Sequence, residues 1–297
     1  MFRFLPGPVK GSLIVLIILI NTLFWMPILV IGAILKLILP VPFLRKITTK
    51  LSIASATNWV SINSSLFWLF HKIDWKVSGV DKLSMDEWYF VNCNHQSWAD
   101  IPIAQKVLNR KVPMLKFFLK QELIWVPVLG ICWWALDFPF MKRYSASQVA
   151  KNPELAGKDL ETTRKACQKF KTTPVSVFNF LEGTRNTPEK HKQQESPFKH
   201  LLKPKAGGAA FVLGSMGSQM NTMLDISIVY PSARNSFWDL ICGRISEVTI
   251  NVKTIDIPPE YLGKDYANDA TFKADFQEWI NAIWKEKDQL LETMGRK

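Results

Sequence analysis

Twenty-three consecutive residues, Leu13 to Leu35, carry no formal charge. As a helix rising about 1.5 Å per residue, the run reaches about 35 Å, enough to cross the hydrocarbon core of a bilayer. A cleaved secretory signal fits poorly, because its apolar region spans about 7–15 residues and ends at a small-residue site. Here the A-x-A match, Ala54-Ser55-Ala56, lies beyond Pro40, Pro42, Arg45 and Lys46. Charge around the run is one-sided. Residues 1–73 contain no Asp or Glu, but hold Arg3, Lys10, Lys36, Arg45, Lys46, Lys50 and Lys72. That segment supplies +7 of the net +12, leaving +5 for the rest of the chain. Cationic residues flanking an apolar run suit an anionic lipid surface. No nucleic-acid-binding motif accompanies them, so no nucleic-acid partner is expected.

A second uncharged stretch, Leu51 to Phe70, is rich in Ser, Thr and Asn. Trp59, Ile62, Leu66, Leu69 and Phe70 recur at helical spacing and predict one apolar face on an interfacial helix. Basic residues on both flanks of the first run place both its ends on the cytoplasmic side. The expectation is a hairpin dipping into one leaflet, bent near Pro27, with a single tilted span as the alternative. A third apolar stretch, Leu123 to Leu136, is interrupted by Pro127 and Gly130 and predicts a buried or interfacial helix. The chain thus divides into a membrane-anchoring helical segment, 1–73, and a second region, 74–297.

From Trp75 onward, short β-rich runs alternate with helical periods. Strands are predicted at Trp88–Asn92, Val175–Phe180 and Asp225–Tyr230, and helices at Asp159–Lys171, Ala206–Met220 and Thr271–Met294, the last amphipathic. This alternation predicts an α/β fold with a mostly parallel central sheet and flanking helices. Residues 186–201 read as a mobile polar loop. The four cysteines, Cys93, Cys132, Cys167 and Cys242, form no C-x-x-C pair and read as reduced, mostly buried thiols.

Two polar clusters fall just past the carboxyl ends of predicted strands, where open α/β sheets place ligands. Asn94 through Asp100 sets a histidine and an aspartate five positions apart. On a straight helix those side chains diverge by about 140°. Contact between His95 and Asp100 therefore needs a turn that folds back, in which the carboxylate fixes the imidazole tautomer and frees the other nitrogen as a general base. The alternative is a pair that merely caps a helix. Phe180 through Arg185 combines a permissive glycine, a hydroxyl and a guanidinium fork suited to phosphate, or else forms a turn with charged neighbours. Ser97 lacks a G-x-S-x-G elbow. His71, His191 and His200 lack metal-ligand spacing and read as surface or interfacial residues.

Together the clusters resemble the glycerolipid acyltransferase family. Asn94-His95 through Asp100 resembles its N-H-x4-D box, and Phe180 through Arg185 its F-x-E-G-T-R box. Lys120-Gln121-Glu122-Leu123 and Phe138 through Arg143 resemble two weaker blocks, and runs such as FLKQELIWVPVLG are similar to a bacterial inner-membrane member. The fourth block is poorly met at Ile228-Val229-Tyr230-Pro231, so no residue is carried over from it. The resemblance implies transfer of an acyl group from acyl-CoA or acyl-carrier protein to the sn-2 hydroxyl of lysophosphatidic acid, on the cytoplasmic face of the inner membrane. It implies His95 as base and Asp100 as its orienting carboxylate. Lys120, Arg143 and Arg185 would hold the acceptor phosphate, with Gly183 and Thr184 shaping the pocket and Glu182 bracing the turn. No metal or organic cofactor is implied. Another lysophospholipid acceptor, or a non-catalytic module that binds anionic lipid, are the competing readings.

Overall fold

The computed structural model describes residues 2–39, 41–142, 158–232, 234–264, 266 and 268–296. The chain opens with two long helices, α1 (Gly7–Ile38) and α2 (Pro42–Phe70), which pack against each other. α1 is continuous across Pro27, and the chain reverses between Ile38 and Pro42 rather than at that proline. The hairpin is inverted relative to a water-soluble helix pair. Large apolar side chains face outward, among them Ile20, Phe24, Ile31, Phe43, Leu51 and Trp68, while Asn21, Thr22, Thr48, Ser52 and Ser55 are buried. Asn21 donates to the Trp59 carbonyl at 3.1 Å and to Asn63 Oδ1 at 2.9 Å, and Trp59 donates to Thr22 Oγ1 at 2.9 Å. Thr48, Ser55 and Thr57 donate to carbonyls one turn back. The predicted single apolar face of α2 is divided: Leu66 and Phe70 are buried with Ile14 and Ile241, whereas Ile62 is exposed.

The remainder is built on a six-stranded sheet. In chain order it comprises β1 (Asp74–Ser78), β2 (Tyr89–Cys93), α3 (Asp100–Leu108), β3 (Leu115–Phe117), β4 (Leu119–Lys120), α4 (Leu129–Ala135) and β5 (Phe140–Met141). There follow α5 (Lys158–Phe170), β6 (Ser176–Asn179), α6 (Pro188–Gln193), α7 (Gly207–Met216), β7 (Thr222–Val229), α8 (Phe237–Ile241), β8 (Glu247–Asp256) and α9 (Ala270–Thr293). The sheet order is β1-β8-β7-β2-β6-β3; β7 and β8 pair antiparallel and every other pairing is parallel. β4 and β5 form a separate parallel pair.

β2 lies between β6 and β7, and all five of its residues are buried. A strand covered on both faces reads as a continuous apolar run, as Tyr89-Phe90-Val91 does. Its side chains alternate between two cores. Phe90 joins Phe170, Leu213, Phe276 and Trp284 beneath α5, α7 and α9, and Val91 joins Ile103, Leu108, Phe178 and Leu240 on the other face. β8 went unpredicted although Val248, Ile250 and Val252 alternate inward along it. Residues 186–201 are not a bare loop, because α6 forms within them, capped by the Thr187 hydroxyl.

The third apolar stretch is two pieces, a 3₁₀ turn over Gln121–Trp125 and then α4. A Cβ at Gly130 would come 2.0 Å from the Ile124 carbonyl oxygen, so only glycine allows the 3₁₀ turn and α4 to close on each other. α1 rests on the body at both its ends: Ile14 packs with Ile241 of α8, and Lys36 pairs with Asp137 at 3.5 Å. All four cysteines are free and buried.

Candidate active site

The two polar clusters meet at the carboxyl ends of β2 and β6, which pair in parallel register. Beyond β2 the chain is held to β7 by Asn94, whose side chain donates to the Ile228 carbonyl at 2.9 Å and accepts the Ile228 N–H at 2.8 Å. One side chain thereby extends the ladder by another step, and His95 leaves the sheet from a fixed point.

The turn that follows closes around Asp100, which is fully buried. Asp100 Oδ2 accepts the Gln96 N–H at 2.6 Å, the Ser97 N–H at 2.8 Å and His95 Nδ1–H at 2.9 Å. Its Oδ1 accepts the Tyr230 hydroxyl at 2.6 Å. The His–Asp contact thus arises in a folded-back turn, since a straight helix would separate the two. With Nδ1 donating to the carboxylate, Nε2 is the nitrogen left with a lone pair. The imidazole stacks on Phe180, with ring centroids 3.8 Å apart and planes at 15°. Burial and the neighbouring Asp100 hold the Tyr230 hydroxyl well above its ordinary pKa, so it serves as an O–H donor.

The second turn grips the first. Glu182 is buried, and Oε1 accepts the His95 N–H at 2.8 Å while Oε2 accepts the Leu202 N–H at 3.1 Å. The Asn186 N–H donates to the His95 carbonyl at 2.7 Å. Both backbone polar groups of His95 therefore end in this segment. Burial pushes the Glu182 carboxyl up to about 7, opposed by those two N–H groups and by the charges of Arg296 and Lys287. Gly183 takes φ of 69°, and a Cβ there would meet Lys205 Cδ at 3.1 Å. Thr184 Oγ1 accepts from Lys190 Nζ at 2.5 Å, and the same ammonium reaches the Arg185 carbonyl at 3.3 Å. The Arg185 guanidinium lies over the Trp98 ring at 5.6 Å, with no carboxylate partner among the described residues.

Lys120 is exposed at the end of β4, and among the described residues no hydrogen bond or ion pair joins it to either turn. Arg143 lies outside the described residues. His71 and His200 are buried, not at the surface; His200 Nε2 lies 2.6 Å from Glu292 Oε2. Sequence reasoning assigned no role to Tyr230 or Lys190, and Asn94 entered only as the first residue of its polar cluster. Tyr230 was within reach of it, since a tyrosine at the end of β7 stands level with the ends of β2 and β6.

A family model described as Acyltransferase matches residues 74–229, more than half of the chain. The chain belongs to that family. It is 24% identical to the 2-acyl-1-lysophosphatidylinositol acyltransferase of Saccharomyces cerevisiae, over 67% of this chain and 59% of that one. It is also 24% identical to the mouse 1-acyl-sn-glycerol-3-phosphate acyltransferase gamma, over 61% of this chain and 46% of that one. The chain spans about half the length of the curated relatives it matches. Its fold is like that of the crystal structure of the 1-acyl-sn-glycerophosphate (LPA) acyltransferase PlsC from Thermotoga maritima. The TM-score is 0.51 at 18% identity, covering 93% of this chain and 98% of that one.

Proposed function

We propose that this acyltransferase is seated on a bilayer and moves a fatty acyl group from acyl-CoA or acyl-carrier protein to the sn-2 hydroxyl of lysophosphatidic acid. The observation that carries the reading is the His95–Asp100 turn, in which four donors converge on one carboxylate and leave His95 Nε2 with its lone pair. In this mechanism Nε2 removes the proton from the acceptor hydroxyl as that oxygen attacks the thioester carbonyl. The C–S bond breaks, the thiolate leaves, and the imidazolium returns the proton to it. Asp100 holds the tautomer and balances the imidazolium charge. Arg185, having no carboxylate partner among the described residues, is suited to the acceptor phosphate, with Lys120 and Arg143 as further cations of that pocket. Gly183 and Thr184 shape the turn and Glu182 braces it.

A cleft between the hairpin and the body suits the acyl chain. Leu29, Trp59, Leu129, Cys132, Leu136 and Phe138 line it. From Phe138 a run of ring contacts passes through Phe117, Phe178 and Phe180 to His95, at centroid separations of 6.4, 4.8, 5.1 and 3.8 Å. The inverted hairpin supports an in-plane seat on a bilayer; its assignment to the cytoplasmic leaflet of a bacterial inner membrane is proposed from the flanking cations and the family resemblance. Both ends of α1 rest on the body, whereas a spanning helix would carry one end about 30 Å away.

The decisive assay supplies purified protein with lysophosphatidic acid or lysophosphatidylinositol and with acyl-CoA or acyl-carrier protein. Transfer to lysophosphatidic acid, slowed about 10²–10⁴-fold in His95→Ala, is the expected result. Binding of anionic vesicles without transfer to any acceptor would instead leave a lipid-binding module. Cysteines placed near Lys10 and near Lys50 are expected to label from the cytoplasmic side alike; opposite accessibility would mean a single span.

A further inference from the structure

Trp98 is the outward-facing residue of the turn that Asp100 closes. Its neighbours on both sides are buried and bonded: the Ser97 N–H donates to Asp100 Oδ2 at 2.8 Å, the Ser97 hydroxyl to the Asn235 carbonyl, and the Ala99 N–H to Ser97 Oγ at 2.9 Å. The backbone of Trp98 is thus fixed in the same turn that fixes His95, while Trp98 itself is 56% exposed. The proposed mechanism gives this indole no part. Arg185 approaches it from the second turn, where the backbone is fixed as well. Lys190 Nζ reaches the Arg185 carbonyl at 3.3 Å, and the N–H of the next residue, Asn186, donates to the His95 carbonyl at 2.7 Å. The Arg185 guanidinium lies over the Trp98 ring, 5.6 Å from its centroid, and forms no hydrogen bond or ion pair among the described residues.

A cation that must meet an anion can be held in two ways. A carboxylate would hold it by occupying the N–H groups that the ligand needs. An aromatic face attracts the charge through its quadrupole and leaves the five N–H groups around the guanidinium edge free. The second way is the one built here. We infer that Trp98 is a positioning residue of the acceptor site, its ring holding the Arg185 guanidinium in place for the acceptor phosphate while the N–H donors stay open. The inference rests on the proposed role of Arg185. A side chain ordered before the ligand arrives lowers the ordering cost of binding, so the contact acts on affinity for the acceptor. The competing role for an exposed tryptophan on a bilayer-seated protein is an anchor among the lipid headgroups. An anchor works without Arg185 and matters only when a bilayer is present, so experiment separates the two.

The test compares wild type, Trp98→Leu, Trp98→Phe, Arg185→Ala and the double variant Trp98→Leu/Arg185→Ala in the full chain. Calorimetry gives the Kd of hexanoyl lysophosphatidic acid, a monomeric probe that needs no bilayer, and steady-state kinetics give kcat and KM for each substrate. Trp98→Leu keeps an apolar side chain but removes the π face. It is expected to weaken binding of the probe about two- to fivefold and to raise KM for lysophosphatidic acid alike, with kcat within about twofold and KM for the acyl donor unchanged. Trp98→Phe, which restores a π face, should recover most of the loss. In the Arg185→Ala background, Trp98→Leu should weaken binding no further. Wild-type affinity in Trp98→Leu beside weakened binding in Arg185→Ala would overturn the inference and leave the phosphate assignment of Arg185 standing. A loss that persists without Arg185, or that appears with long-chain acceptor in vesicles but not with the hexanoyl probe, would make Trp98 an anchor and overturn the inference too. Wild-type affinity in Arg185→Ala would remove the phosphate assignment, and the inference with it. The calorimetry needs no turnover, so absence of acyl transfer in every variant would count against the proposed reaction and leave the binding result readable.

Discussion

The two turns that meet at the site are built to opposite specifications. In the first, Asp100 accepts four hydrogen bonds, and His95 has its N–H, its carbonyl and its Nδ1 all engaged. In the second, Glu182 accepts two backbone N–H groups, but the Arg185 guanidinium rests over the face of Trp98 with no carboxylate partner among the described residues. A group that must keep one orientation through a proton transfer is held by several bonds that do not change. In the proposed reading Arg185 receives an anion, and such a group keeps its donors free, because each internal bond would have to be broken when the ligand arrives. The difference teaches where rigidity is needed and where exchangeable donors are needed within one pocket.

Breaking the rigid side should cost the most. His95→Ala is expected to lower kcat by about 10²–10⁴ with the protein still folded and membrane-bound, read by steady-state turnover beside a thermal melt. Asp100→Asn should approach it, because an amide that donates toward Nδ1 disturbs the tautomer. Near-wild-type turnover in His95→Ala would dissolve the contrast between the turns. Next in size is the open side. Arg185→Ala should raise KM for lysophosphatidic acid about tenfold or more, the scale of charged hydrogen bonds, while KM for the acyl donor holds. Arg185→Lys should fall between the two, keeping charge without the planar fork. A change confined to the donor KM would move Arg185 to the thioester carrier. The smallest effect sharpens the comparison. Tyr230→Phe removes one of four bonds to Asp100 and should lower kcat roughly 3–10-fold, with KM for both substrates unchanged. Were Tyr230→Phe as damaging as Asp100→Asn, the carboxylate would not be redundantly held.

A parallel contrast separates the hairpin from the body. The body hides Phe90, Leu213 and Trp284 and spends polar residues on its surface, as a water-exposed fold does. The hairpin hides Asn21, Thr22 and Ser55 and exposes Ile20, Phe24 and Leu51. The apolar length of α1 was legible because twenty-three uncharged residues in a row suit only lipid or a buried core. Which way its faces turn was not legible. Ser and Thr back-bond to their own helix whichever side they occupy, so composition alone cannot separate a polar seam from a polar exterior.

What the sequence determined by itself is local. The periods of β2, β6 and β7, the positions where they stop, and the spacing of His95, Asp100 and the Glu182–Arg185 turn are all carried within short windows. Tertiary structure decided everything that depends on distant partners. Tyr230 reaches Asp100 across 130 positions, and Asn94 pairs with Ile228 across 134. The hairpin turn fell between Ile38 and Pro42 rather than at Pro27, which stays inside α1. Lys120, grouped with Arg185 by resemblance, has no bond to that turn among the described residues. Periodicity records which residues a segment must bury. Which residues meet is set by how the segments pack, and no window of the chain contains that information.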